Sequence, residues 1–188
     1  MIDLFREALA VQEFLAEAGW PFCFIGGVAV QHWGEPRATR DLDLTVFTGF
    51  GGEPPVVDTL LGRYASRRSD ARAFALRHRV VLCSTPAGVP IDIALGALPF
   101  EAEMIERATE VEFDDGVALR ICSAEDLLVL KAFADRPQDR ADVISIARRC
   151  GRTLDWGAVE SRLDPLVEAK GDPGIIDRVR ALRGQFAQ

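Results

Sequence analysis

Residues 22–47, FCFIGGVAVQHWGEPRATRDLDLTVF, constrain this chain more than any other stretch. Phe22 to Ile25 is a short apolar run and reads as a buried strand. Gly26-Gly27 breaks it, Val28 to Trp33 reads as a helix, and Gly34-Glu35-Pro36 ends that helix. Arg40 to Phe47 then alternates with period two. A strand there puts Leu42, Leu44 and Val46 on one face and Asp41, Asp43 and Thr45 on the other. Two carboxylates on one strand face repel unless a cation sits between them. One reading of Asp-x-Asp is a half-exposed strand whose polar face meets water. The other is a divalent-metal site, because hard cations take carboxylate oxygens. The upstream Gly-Gly favours the second, since a strand that opens into a helix there presents unpaired backbone N–H groups to an anion. A phosphate cradle followed by a metal dyad is what nucleotide chemistry requires.

Downstream, Arg77 to Ser84 and Val89 to Leu95 read as two strands around Thr85-Pro86-Ala87-Gly88. Pro90-Ile91-Asp92-Ile93-Ala94-Leu95 holds one acid in an apolar run, where a charge is costly unless paired or bound to metal. Asp92 is therefore a candidate third carboxylate; the competing reading is a strand-end acid facing water. Thr48 to Pro55 reads as a loop, Val56 to Ala65 and Glu101 to Ala108 as helices. Glu110 to Phe113 and Val117 to Ile121 read as a hairpin turning at Asp114-Asp115-Gly116. Ser123 caps a helix from Ala124 to Ala134. Further helices are expected at Asp139 to Cys150, with Val143, Ile144 and Ile146 inward, at Leu154 to Ala169, and at Ile175 to Gln185.

Only two of the 22 basic residues are lysines. Lys131 interrupts an apolar helix, and a flexible ammonium there can reach a phosphate. Asp139 reads as a cap for the helix that follows. Arg63, Arg67, Arg68, Arg72, Arg77 and Arg79 face only Asp70 in their segment. They read either as a solvated helix face or as an electropositive rim for phosphate or RNA.

The formal net charge of −7 disfavours a protein that coats nucleic acid. With 48% hydrophobic residues the chain can build a packed core. No apolar run approaches the roughly 20 residues that cross a bilayer. The N-terminus reads as an amphipathic helix with Phe5, Leu9, Gln12 and Leu15 near one face, not as a signal peptide, and a cytoplasmic protein is expected. Cys23, Cys83, Cys122 and Cys150 lack metal or redox spacing and read as free thiols. His32 reads as a packing or surface histidine.

The stretch FIGGVAVQHWGEPRATRDLDLTV resembles the nucleotidyltransferase superfamily of DNA polymerase β. Gly34-x-Pro36-Arg37-x-Thr39 and Asp-Leu-Asp-Leu look most like the bacterial AbiEii-type and related stand-alone members. The match is specific over residues 22–47 and looser over 77–101 and 123–146. It implies an α/β (α+β) fold, a mixed sheet flanked by helices and followed by a helical C-terminal segment. Residues 1–122 would form the catalytic domain and 123–188 a helical segment completing its cleft. It implies transfer of a nucleoside monophosphate from an NTP to a hydroxyl, releasing pyrophosphate. Asp41, Asp43 and Asp92 would hold two Mg²⁺ ions, with Asp92 also serving as base. Gly26 and Gly27 would cradle the phosphates, Arg37, Arg40 and Lys131 would neutralise them, and either Asp139 or Asp142 would join Lys131 in the site. Many superfamily members have serine where Gly27 stands; Gly27 offers only backbone. An AbiEii-like resemblance further implies an RNA acceptor, often tRNA, and a toxin paired with a cognate antitoxin protein. Two alternatives are a transferase acting on a small aminoglycoside-like molecule and an inactive module that binds nucleotide or a partner.

Overall fold

The computed structural model describes residues 4–113 and 116–187, and the expected turn at Asp114-Asp115 lies outside them. The chain divides into two compact units, residues 1–28 with 38–122, and residues 29–37 with 123–188.

The first unit is built on β1 (Phe22–Phe24), β2 (Leu42–Phe47), β3 (Ala65–Ser66), β4 (Val80–Ser84), β5 (Pro90–Gly96), β6 (Thr109–Glu112) and β7 (Ala118–Ile121). These form a seven-stranded mixed sheet in the order β3-β4-β5-β2-β1-β7-β6. β2 runs parallel to β5 and β1 parallel to β7; the other pairings are antiparallel. The period-two reading of β2 holds: Leu42, Leu44 and Val46 are fully buried, as are Ile91 and Ile93 of β5. Each such side chain contributes about 1.5–3 kcal/mol. The opposite face is covered at one end. There α5 (Pro99–Arg107) packs on β2, and a Cβ on Gly96 would meet Thr45 and Glu101. Asp43 and Asp92 lie toward the other end, half-buried, where their charge can reach water.

In α1 (Leu4–Glu17) the buried residues are Ala8, Val11 and Leu15. Gln12 serves differently from the expected apolar stripe. β1 meets β7 only at Phe24 and Ile121, leaving backbone groups of β7 unpaired. The Gln12 amide takes two of them, donating to Ala118 O at 3.0 Å and accepting from Arg120 N at 2.8 Å. Phe5 instead stacks on Phe113, centroids 4.8 Å apart.

α3 (Glu53–Arg63) starts inside the expected loop, because Pro54 and Pro55 suit the first helical turn. Arg77 and His78 belong to α4 (Ala71–His78), not to a strand. Arg79 ends that helix in the left-handed conformation, φ 54°. Its guanidinium bonds to Glu53, Thr48, Gly49 O and Leu95 O, which hold it there.

The second unit contains α6 (Ala124–Ala134), α7 (Pro137–Cys150), α8 (Trp156–Lys170), α9 (Gly174–Phe186) and the later turns of α2 (Gly26–Trp33). Ser123 caps α6 as expected, its Oγ accepting from Asp126 N at 3.1 Å. α6 touches α7, α8 and α9, which is why it is apolar nearly all round. Segment 34–37 is tied to α7: Gly34 O accepts from Arg149, and a Cβ on Gly34 would press on Ser145 Oγ. Val143 and Ile146 are buried, but Ile144 is 41% exposed and not inward. It lines a cavity of about 270 Å³ with Val143, Ile175, Val179 and Leu182. His32 lies edge-on to Trp33, and burial, then the Arg149 charge, lowers its pKa.

Among the described residues no helix is long and apolar enough to cross a membrane. Cys23, Cys83 and Cys122 are buried and Cys150 is half-buried. Burial pushes the Cys83 thiol up to about 12.

Candidate active site

The parallel pairing of β2 and β5 puts Asp43 opposite Asp92. Side chains at such a position leave the same face of the sheet. Two acids far apart in sequence thus become neighbours through strand order. The same row continues: Leu82 of β4 faces Asp92, and Arg67, just past β3, donates its backbone N–H to Leu82 O at 3.1 Å. Arg67 reaches over Leu82, and its guanidinium donates to Asp92 Oδ1. Burial raises the pKa of Asp92, Arg67 opposes that rise, and the charge of Asp41 adds to it.

Asp41 sits just before β2, and Thr39 Oγ1 donates to its Oδ1 at 3.1 Å. α2 begins at Gly26 itself, two residues earlier than expected. Gly26 has φ 58°, and a Cβ there would lie 2.6 Å from the carboxyl carbon of Asp43. Only glycine allows both the left-handed turn and that approach. Gly27 is equally tight against Thr39, where a Cβ would lie 2.8 Å from Thr39 Cβ. The hydroxyl of Thr39 therefore fills the space a side chain at 27 would need. Gly27→Ser is expected to cost about 1–3 kcal/mol as an overpacked contact. Thr39→Ala in the same chain removes the Oγ1 that would press on that Cβ but keeps Thr39 Cβ, and should recover part of that loss. Thermal melts of the single and double variants check both, and a double variant no better than Gly27→Ser would show that the strain lies elsewhere.

Among the described residues no set of three or more His, Cys, Asp or Glu side chains converges closely enough to hold a metal ion as it stands. One Asp92 oxygen is taken by Arg67. The donor set of Asp41, Asp43 and Asp92 is all carboxylate oxygen, which suits a hard divalent cation such as Mg²⁺. Gly26 leaves room beside Asp43 that any other residue would fill. Arg40 is exposed next to Asp41.

In the second unit Lys131, Asp139 and Asp142 come together, so the sequence had reason to leave both acids open. Lys131 Nζ lies 3.1 Å from Asp139 Oδ1 and 2.9 Å from Asp142 Oδ2. Each acid is only 2% exposed. Arg37 binds Asp142 through Nε and Nη2, both at 2.9 Å, and Arg136 binds Asp139 at 2.5 Å. Burial alone would raise the pKa of both acids, but these cations outweigh it and lower both. Lys131 and Arg37 thus enter the structure as partners of buried acids.

Most arginines of the segment 63–79 are engaged by partners of this unit. Arg68 is held in a fork by Asp70, Arg72 by Asp58, and Arg79 by Glu53 and backbone carbonyls. Arg63 lies over Phe14 and Tyr64. Arg77 is exposed, and Arg67 turns to Asp92. Sequence reasoning had no role for Thr39 beyond a motif position, nor for Arg67 beside the acids. Thr39 stands two residues before Asp41, a signal that was available; the approach of Arg67 required the strand order.

No protein-family model matches this chain, and no curated protein does. Several solved structures are similar to it. An antigenic nucleotidyltransferase-like protein from Paracoccidioides brasiliensis aligns with TM-score 0.51 and 16% identity, covering 93% of this chain and 92% of its own. The antibiotic-resistance factor ANT(2'')-Ia in solution aligns with TM-score 0.53 and 18% identity, covering 90% and 95%. ANT(2'')-Ia in complex with adenylyl-2''-tobramycin aligns with TM-score 0.51 and 18% identity, covering 89% and 97%. At such identities the likeness is one of fold, and the chain has the fold of the nucleotidyltransferases.

Proposed function

We propose that this protein is a metal-dependent nucleotidyltransferase that moves a nucleoside monophosphate from an NTP to a hydroxyl acceptor. The observation that carries the reading is the pairing of Asp43 with Asp92, with Gly26 pressed against Asp43 at the start of α2. It sets acids beside a helix N-terminus, where backbone N–H groups favour phosphate. Asp41, Asp43 and Asp92 would hold Mg²⁺, two ions in this reading. Bound there, Mg²⁺ neutralises the triphosphate and stabilises the entering and leaving oxygens. The acceptor oxygen bonds to the α-phosphorus, the bond to the bridging oxygen breaks, and pyrophosphate leaves. Asp92 would accept the hydroxyl proton as general base. Gly26 and Gly27 cradle phosphate through backbone, and exposed Arg40 adds a cation.

RNA is the acceptor that the AbiEii-like resemblance suggests, with a cognate antitoxin as partner. A second reading is a small hydroxylated molecule, supported by the pairing of Arg68, Arg72 and Arg79 with acids of this unit. The fold likeness to ANT(2'')-Ia, seen with an adenylylated tobramycin, supports that reading.

The test is incubation with Mg²⁺ and each α-labelled NTP, with total RNA in one arm and a panel of aminoglycosides in the other. Label in RNA supports the first acceptor and label in an aminoglycoside the second. Calorimetry with each NTP runs beside it. An NTP that binds only with Mg²⁺ is expected; no metal-dependent binding to any NTP would sink the enzymatic reading.

A further inference from the structure

Four features of Arg67 bear on its role, and the first two set it apart from the other arginines of its segment. It lies on the row Arg67–Leu82–Asp92–Asp43, and so points along the face that carries the acids. Its contact with Asp92 is made by Nη2 alone, whereas Arg68 and Arg72 are each held by both oxygens of a carboxylate. Its side chain is 35% exposed and that of Asp92 38%, so water reaches the pair and it is weakly held. Its backbone is anchored: Arg67 N–H bonds to Leu82 O, and Ser66 Oγ accepts from Arg68 N at 3.0 Å and donates to Arg68 O at 2.9 Å. The side chain can therefore swing while its base stays fixed.

Charge decides what that swing does. One guanidinium holds Asp92, the acid that Asp43 faces across the β2–β5 pair. A dication brings twice the charge of arginine to the same oxygens and can take its place. The displaced guanidinium then needs an anion, and its planar fork matches phosphate oxygens in pairs. With the transferase reading above as premise, we infer that Arg67 is a positioning residue that couples metal to nucleotide. It holds Asp92 until a divalent cation takes that carboxylate, then turns to the triphosphate.

Metal alone must displace Arg67 with nothing to receive it, so it binds weakly. With nucleotide present the guanidinium finds new partners, and each ligand strengthens the other by the same factor. The probe is Mn²⁺, followed by its paramagnetic resonance signal, with and without α,β-methylene NTPs that cannot transfer. Arg67→Gln is compared with wild type and with Arg68→Gln, which removes the same charge from a residue held by Asp70.

Arg67→Gln is expected to bind Mn²⁺ alone about tenfold more tightly, the effect of losing one adjacent cation. The strengthening of Mn²⁺ binding by nucleotide should shrink by a similar factor. In EDTA it should melt below wild type, because the acids lose their cation, and Mn²⁺ should raise its melting temperature more. Arg68→Gln should follow wild type throughout. Unchanged Mn²⁺ affinity and unchanged coupling in Arg67→Gln would overturn the inference, as would an equal effect in Arg68→Gln. Failure of wild type to bind Mn²⁺ with any nucleotide would remove the transferase reading, and this inference with it.

Discussion

Asp43→Asn should lower the transfer rate roughly a thousandfold, equivalent to about 4 kcal/mol of barrier, without unfolding the protein. Asp43 is the acid that faces Asp92 across the β2–β5 pair and the one against which Gly26 is packed. Asparagine keeps the shape that Gly26 requires and removes the charge that a metal needs. Without metal, the substitution takes one member from a group of like charges. Its effect on stability should be neutral or favourable, since the remaining carboxylates lose a repelling neighbour. Transfer rates with Mg²⁺ and melting curves in EDTA separate the two effects. A wild-type rate would exclude Asp43 as a metal ligand. A large fall in melting temperature in EDTA would show instead that its charge holds the fold.

Lys131→Met should have the largest effect on stability. Methionine fills the volume, but Asp139 and Asp142 lose the ammonium between them at sites only 2% exposed. Breaking a buried ion pair from one side costs about 3–5 kcal/mol. Arg37 and Arg136 still reach the two acids, which places the expectation near the lower end. Adding Asp139→Asn and Asp142→Asn should recover most of the loss, because no buried charge is then stranded.

The pH dependence has a definite sign. In wild type both acids have folded pKa values below the ordinary carboxyl value. Their contribution is fully present above about pH 4 and is lost as pH falls further, through the folded values. In Lys131→Met that depression weakens, so acid strips less stability from the variant than from wild type. The difference between them should narrow below about pH 4. Denaturant melts across pH measure it; a constant difference would mean that Lys131 stabilises by packing alone. Transfer rates of Lys131→Met, taken where it stays folded, test the separate expectation that Lys131 acts on phosphate.

Much of the first unit was legible because its signals are local. The period-two run from Leu42 to Phe47 fixes which residues share a face wherever the strand is placed. Gly26-Gly27 between a strand and a helix declares a turn that side chains would obstruct. Ser123 before an apolar helix is a cap whatever that helix packs on. The candidate status of Asp92 followed from the cost of a charge in an apolar run.

What the sequence could not contain is which strands become neighbours. Arg67 was one of six arginines that could form a rim or a solvated face; the order β3-β4-β5-β2 turned it toward Asp92, while Arg68, Arg72 and Arg79 went to acids nearby. Lys131 looked like a lone ammonium in an apolar helix until the packing of α6 on α7 gave it two buried partners. Ile144 fitted the apolar spacing of α7, yet it lies at the open edge of a cavity lined also by α9. Periodicity and caps are set within a few residues of chain, whereas an ion pair or a buried face depends on groups that only the folded arrangement brings within reach.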